Sequence, residues 1–312
     1  MEQDQLEEKV PVPDIALFRE DESNSAREES PKTLSDVDRL KQIEETTDTD
    51  YILYLGQISR DGYELLSNLL DQATKRPNAC LILHTAGGDP DAGYRVARCL
   101  RHHYAKRLSI LVADRCKSAG TLVCIAADEL IIADRGELGP LDVQISKRDE
   151  IFELGSGLDL LQSLIYMREA VQGTFESYLV DMRLKKNLST KVAADISAKL
   201  VTGLFGHIYN QVDPTKLGEL QRALRVAWDY ATRLNKYGFI LKADALQQLV
   251  NGYPSHSFVI DRKEARERFN AVRAPNSDEA WIGRMCTVED SPWWTPPLVS
   301  SVTSFFDRSA QS

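Results

Sequence analysis

The chain has 312 residues, 43% of them hydrophobic and 27% charged, so it has ample length and apolar content for a sizeable core. It contains no run of about 18 apolar residues, which excludes a membrane span by hydropathy. The acidic start MEQDQLEEKVPVPD lacks the apolar centre of a signal peptide, and we therefore expect a cytoplasmic protein.

The formal net charge of -9 is concentrated at the beginning of the chain. Residues 1–50 contain 16 Asp or Glu and 6 Lys or Arg, so the remainder is close to neutral. The polar, acidic composition of residues 1–45 predicts a disordered arm, whose short apolar patch at 15–18 could dock on an unidentified protein partner. Its acidity argues against binding to nucleic acid.

Apolar runs typical of strands then alternate with helical patterns. The predicted strands are 51–58, 80–85, 109–113 and 129–134, and the predicted helices between them are 61–76, 89–105 and 118–128. This rhythm predicts an α/β fold of βαβ units around a mostly parallel sheet, with helices on both faces.

After residue 140 the pattern becomes mainly helical. Helices are predicted at 157–187, 189–202, 214–236 and 241–250, followed by a short strand at 257–260 and a helix at 263–272. We expect one folded domain over 46–273 and an irregular tail over 274–312. The tail's tryptophans should pack on the body or on another subunit, because they are costly to leave in water.

The cysteines and histidines do not indicate a metal site. The five cysteines form no CxxC pair, and the five histidines show no HExxH spacing. We predict reduced, buried thiols, no metal and no cofactor.

The segment 84-HTAGGDPDAGYRVAR-98 joins a predicted strand to a predicted helix through two adjacent glycines. Gly87 and Gly88 allow positive φ and expose consecutive N–H groups, which suits an anion or a developing oxyanion. The alternative is a tight turn that needs glycine for steric reasons only. Asp89 is a predicted N-cap before Pro90.

The segment 115-RCKSAGTLVCIAADE-129 places Ser118 at the start of a helix of small residues. There the N–H of Ala119 and the positive end of the helix dipole favour an oxyanion beside the serine hydroxyl. The residues alone leave two roles open, a nucleophile or a simple N-cap.

A third segment, 136-GELGPLDVQISK-147, follows the next strand and could line the same cleft. Taken in order, the segments LILHTAGGDPDAGYRVAR, KSAGTLVCIAADELIIA and ELGPLDVQ resemble the ClpP/crotonase fold. They are similar, more narrowly, to serine proteinases of the signal-peptide-peptidase clan and its prokaryotic serine dehydrogenase proteinase (SDH) branch. The segment LVNGYPSHSFVIDRKEA also fits that branch, and the resemblance covers roughly residues 50–272.

The resemblance implies a ClpP/crotonase-like core of repeated ββα and βαβ units with added C-terminal helices. It also implies a peptidase site with Ser118 as nucleophile and backbone N–H groups of Gly87, Gly88 and Ala119 as an oxyanion hole. No histidine lies between positions 103 and 207, so the ClpP triad is not in its expected place, and a Ser-Lys dyad is implied instead. Lys147 is the preferred base.

Other basic residues are weaker candidates for the base. Lys117 adjoins Ser118, but neighbouring helix residues point about 100° apart, so we expect it to be solvated. His256 could fold towards the cleft, although a structural role is the ordinary expectation for such a histidine.

The resemblance further implies a peptide or unfolded protein as substrate and a homo-oligomeric assembly, with helices between 157 and 236 as assembly surfaces. Two alternatives remain: a catalytically silent Clp-fold interaction protein, and a crotonase-type enzyme that acts on acyl-CoA.

Overall fold

The structure is a computed structural model, and it describes residues 35–72, 76–141, 144–146, 154–287 and 296–309. For residues 144–146, 154–162 and 309 it describes the backbone alone. Lys147 therefore lies outside the described residues, as does most of the predicted arm.

The main sheet of the described chain has six strands in the order β10-β1-β2-β3-β5-β9. Its strands are β1 (Thr49–Leu55), β2 (Asn78–His84), β3 (Arg107–Val112), β5 (Glu129–Ile132), β9 (Val272–Arg273) and β10 (Leu298–Ser301). All neighbours pair in parallel except β10, which runs antiparallel to β1. Two small sheets accompany it: β4 (Arg115–Cys116) with β6 (Glu137–Leu138), and β7 (Gln144–Ser146) with β8 (Leu154–Ser156).

The central strands are apolar throughout because both faces of the sheet are covered. Successive side chains of a strand point to opposite faces. In β2, Ala79, Leu81 and Leu83 join one buried cluster, whereas Cys80 and Ile82 join the other. Each face therefore has its own hydrophobic core.

The helices fall into two groups around these cores. The first group is α2 (Arg60–Gln72), α3 (Pro90–His103), α4 (Ala119–Cys124), α7 (Pro214–Gly238), α8 (Ala245–Gln247) and α9 (Arg262–Arg268). The second group, on the opposite face of the sheet, is α1 (Asp36–Thr47), α10 (Ser277–Cys286) and α11 (Val302–Ser309). Two further helices, α5 (Gly157–Val180) and α6 (Thr190–Tyr209), add no described side chain to either core. None of the helices in the described ranges is long and apolar enough to cross a membrane.

Helices α5 and α6 form a hairpin. A π-helical turn at Asp181–Lys185 continues α5, and α6 then packs back along it. Ala193, Ser197 and Val201 form the buried stripe of α6, as expected at a spacing of four residues.

The sequence correctly predicts the parallel sheet and the strand-helix alternation up to residue 140. Asp89 caps α3 as expected, and Asp213 and Asp261 cap α7 and α9 in the same way, because each carboxylate accepts a hydrogen bond from a first-turn N–H. The predicted strand at 257–260 is reduced to one bridge between Ile260 and Leu138.

The structure differs from the predictions at both ends of the chain. Residues 36–45, assigned to the disordered arm, lie in α1, where Leu40 and Ile43 are buried against the sheet. The expectation of an irregular tail is wrong for 277–286 and 298–309, which form α10, β10 and α11. The prediction for 36–45 rests on polar composition, but apolar residues of both regions complete the second core.

Candidate active site

The candidate site lies where β2 and β3 end, at the carboxyl edge of the parallel sheet, where α/β folds build their sites. Backbone hydrogen bonds join the connecting loops. Thr85 N–H donates to the carbonyl of Arg115, and Lys117 N–H donates to that of Thr85. On the other side, Ile58 N–H donates to the carbonyl of Gly87. The Gly-Gly loop is thus held between the chain after β1 and the Ser118 segment.

Gly87 and Gly88 both have positive φ, +112° and +146°. A Cβ built on Gly87 would lie 2.8 Å from the Cβ of Ser118 and 3.4 Å from its Oγ. A Cβ on Gly88 would collide with the carbonyl oxygen of Ile58. Glycine is therefore required here both for conformation and for the close approach to the serine.

Ser118 immediately precedes α4 and has φ +48° and ψ -114°. Positive φ is uncommon for a residue with a side chain and costs on the order of 1–3 kcal/mol unless the surroundings enforce it. Its hydroxyl caps none of the N–H groups of α4. The N-cap alternative therefore does not describe its side chain, which packs against the Gly87 backbone instead.

The three expected oxyanion donors differ in what they bond. Gly87 N–H donates to Thr85 Oγ1 at 3.0 Å. Gly88 N–H and Ala119 N–H have no acceptor among the described residues. Each of the two loops therefore contains one backbone N–H group that makes no hydrogen bond to a described residue.

Lys117 is buried, with 7% of its surface exposed, so the expectation of a solvated lysine is wrong. Its Nζ lies 3.0 Å from Glu137 Oε1 and donates to the carbonyls of Leu138 (3.2 Å) and Phe258 (3.1 Å). The angle of about 100° between neighbouring side chains applies only within a helix, and Lys117 precedes α4, which begins at Ala119. Lys117 belongs to the chain between β4 and α4, where side-chain directions follow different rules.

Thr85 and Thr121 are further site residues that the sequence did not single out. Thr85 is fully buried, and its hydroxyl both accepts from Gly87 N–H and donates to the Gly87 carbonyl. Thr121 Oγ1 donates to the carbonyl of Gly139 at 2.8 Å. The sequence offered one signal for both residues, which is a hydroxyl side chain within an apolar segment. A buried hydroxyl group requires hydrogen-bond partners and therefore bonds to the chain around it.

Burial shifts the pKa values of two groups close in sequence to the site, Cys116 and His84. Burial raises the pKa of the Cys116 thiol well above its usual range, and the sulfur lies 3.7 Å from that of Cys124. Burial lowers the pKa of His84, although Asp114, with an oxygen 3.8 Å from Nδ1, acts in the opposite direction. All five cysteines are buried and none is in a disulfide, as predicted.

A surface groove of about 660 Å³ lies apart from these residues. Side chains of α2, α3 and α7 line it, including Tyr63, Arg98 and Tyr230. None of Gly87, Gly88, Ser118 or Ala119 contributes to its lining. We therefore assign the candidate site to the two loops and not to the groove.

The fold and the loops define a ClpP-like α/β protein. The family model of the ClpP-like SDH-type serine proteinases matches residues 58–226, more than half of the chain. The chain belongs to this family, and the match includes both loops of the candidate site.

Two curated relatives come from Methanocaldococcus jannaschii, and both are described as uncharacterized proteins. MJ1495 is 29% identical over 147 residues, 45% of this chain and 49% of the relative. MJ0137 is 25% identical over 207 residues, 66% of this chain and 57% of the relative. The chain thus spans about half the length of the curated relatives it matches.

Two solved structures of the 1510-N membrane-bound stomatin-specific protease are also similar. A serine-to-alanine mutant matches with 15% identity and a TM-score of 0.28, covering 47% of this chain and 67% of that one. A lysine-to-alanine mutant in complex with a substrate peptide matches with 15% identity and a TM-score of 0.29, covering 76% and 96%.

Proposed function

We propose that the chain is a serine peptidase and that Ser118 is its nucleophile. The observation that carries this proposal is the geometry of Ser118. A serine with φ +48° has an uncapped hydroxyl and lies directly against a Gly-Gly loop. Strained backbone conformations of this kind cluster at active sites.

In the proposed reaction, Ser118 Oγ attacks the carbonyl carbon of a peptide bond and loses its proton to a base. The tetrahedral oxyanion accepts hydrogen bonds from Gly88 N–H and Ala119 N–H, which have no acceptor among the described residues. Collapse expels the amine, which takes the proton from the base. Water then hydrolyses the acyl-enzyme by the same steps in reverse.

We propose Lys147 as the base. It follows the loop that begins at β6, and a desolvated lysine can act as a base near neutral pH. Lys117 is less suitable, since the carboxylate and two carbonyls that it contacts match the three N–H donors of an ammonium group.

The substrate class we propose is a peptide or an unfolded protein, with the enzyme acting as a cytoplasmic homo-oligomer. The α5–α6 hairpin supports the assembly. It exposes large apolar side chains, namely Ile165, Tyr166, Leu184, Val192, Leu200, Leu204 and Ile208. Exposed apolar patches of this kind mark protein-protein contacts.

A fluorophosphonate probe tests the nucleophile, because it reacts with activated serines. We expect labelling of the wild type and none of Ser118→Ala. Ser67→Ala, which removes a half-buried serine of α2, is the matched control and should label like the wild type. Failure to label the folded wild type would favour the catalytically silent interaction protein.

The same assay tests the base. Lys147→Met should slow labelling about 10²- to 10⁴-fold, the usual contribution of general base catalysis. Lys185→Met removes an exposed lysine that pairs with Asp181 and should leave the rate unchanged. Equal rates for both variants would exclude Lys147 as the base.

A further inference from the structure

We propose that Lys117 is a positioning residue for Ser118. In this role its buried ammonium group ties the serine-bearing turn to two segments that are distant along the chain. The inference rests on the proposed function of Ser118 as nucleophile. It assigns Lys117 no direct contact with substrate.

The ammonium contacts both distant segments. Glu137 Oε1 and the carbonyl of Leu138 belong to β6, at 3.0 Å and 3.2 Å from Nζ. The carbonyl of Phe258, at 3.1 Å, lies 141 residues further along the chain. These two segments also bridge to each other at Leu138 and Ile260, so the lysine joins an already paired support.

The stem of Lys117 is enclosed as closely as its head group. A Cβ built on Gly139 would lie 2.5 Å from Lys117 Cδ, so only glycine leaves room for the stem. The backbone of Lys117 is fixed as well. Its N–H donates to Thr85, and its carbonyl accepts from Gly120 N–H. Lys117 is therefore fixed by contacts of both its side chain and its main chain.

This enclosure bears on the conformation of the next residue. A non-glycine residue keeps a positive φ only when the surrounding structure enforces it. On the carboxyl side of Ser118, its carbonyl accepts from Leu122 N–H in α4. On the amino side of Ser118, the contacts of Lys117 fix the position of the chain. Without these contacts, we expect the turn to relax towards negative φ and to move Oγ away from the N–H groups of Gly88 and Ala119.

The test compares the maximal rate of fluorophosphonate labelling, the apparent affinity for the probe and the urea midpoint of unfolding. Lys117→Met keeps most of the stem but removes the three donors. We expect its maximal labelling rate to fall about 10- to 100-fold, the effect of misplacing a reacting group by about 1 Å. Its apparent affinity for the probe should stay within about twofold.

The double variant Lys117→Met, Glu137→Gln separates positioning from stability. Glu137 then has lost its 3.0 Å contact with Lys117 and retains only the longer one of 3.9 Å with Arg115, so removing its charge should restore most of the unfolding midpoint. If Lys117 positions Ser118, the labelling rate stays low although stability returns. If it is only structural, the rate recovers with the midpoint, and the proposal is overturned.

Two further variants complete the design. Lys242→Met is the control, since it removes another lysine that donates to a backbone carbonyl, that of Arg266, and should label normally. If Lys117→Met fails to fold, the single variant Glu137→Gln tests the positioning role instead. It keeps an acceptor but removes the charge, and labelling slowed about threefold to tenfold supports the proposal whereas an unchanged rate overturns it.

Failure of this inference differs from failure of the proposed function. A wild type labelled at Ser118 with an equally reactive, folded Lys117→Met would overturn the positioning role alone. A folded wild type that resists the probe would overturn both.

Discussion

At the scale of single residues, Ser118 combines an unfavourable backbone conformation with a side chain that takes no capping role. Such strain persists when neighbours over-determine it. Here the neighbours are Gly87, whose backbone touches the serine side chain, and Lys117, which is anchored on three acceptors. The conformation is thus a property of the assembled loops and not of the serine itself.

This strain predicts an unusual order of stability. Ser118→Gly should be more stable than Ser118→Ala by about 1 kcal/mol, because glycine adopts positive φ without steric cost. The same pair of changes at Ser67, inside α2, should show the opposite order, since glycine is about 1 kcal/mol worse than alanine in a helix. Urea denaturation of the four variants measures both differences. The same order at the two sites would contradict a strained Ser118.

At the scale of elements, α1, α10 and α11 form the second cover of the sheet. The Trp281 ring of α10 packs edge-on against Phe306 of α11, and Arg39 of α1 lies over that tryptophan. Glu44 of α1 is also buried in this layer, where Thr303 donates to it and Arg76 lies 3.6 Å away. Burial raises the pKa of Glu44 above its ordinary value of 4.5, although Arg76 opposes the shift.

The direction of that shift predicts how pH affects stability. A carboxyl whose pKa is raised in the folded state contributes stability below its unfolded pKa, and this contribution is lost as the pH rises through the folded pKa. The advantage of Glu44→Gln over the wild type in free energy of unfolding should therefore grow between about pH 4 and pH 7. Denaturation at several pH values measures it. Glu45→Gln, on the exposed side of α1, is the control, and a constant difference for Glu44→Gln would contradict the assignment.

At the scale of the whole molecule, the α5–α6 hairpin stands out because its packing is mainly internal. Within the described chain, α6 packs principally on α5 and its π-helical continuation. Its remaining surface is apolar at several positions, with Leu204 53% exposed. A folded body with two well-covered cores and one apolar hairpin fits the proposed homo-oligomer.

Assembly through the hairpin predicts a change of mass on substitution. Leu204→Glu should lower the molar mass measured by light scattering, because a buried carboxylate is costly at an apolar interface. Leu65→Glu alters a similarly exposed leucine of α2, 45% accessible, and should leave the mass unchanged. A monomeric wild type, or a Leu204→Glu variant of unaltered mass, would argue against assembly at this surface.

Much of the fold and part of the candidate site follow from local patterns. The strands up to residue 132 are continuous apolar runs, and their alternation with helices is sufficient to predict a parallel sheet. The Gly-Gly pair and Ser118 can be recognised as candidate site residues because adjacent glycines, and a serine at a helix start, each have few structural or chemical roles. The roles of α1 and α11 could not be read locally, since their contribution depends on a few apolar residues meeting a distant face of the sheet.

The sequence by itself therefore determined the fold class, the family resemblance and the two loops that form the candidate site. Only the tertiary structure decided which hydrogen-bond donors in those loops already have an acceptor. Gly87 N–H is taken by Thr85, whereas Lys117 is buried on acceptors from β6 and from Phe258. The physical reason is that hydrogen bonding and desolvation depend on segments far apart in the chain, whereas hydrophobic periodicity and backbone freedom are local properties.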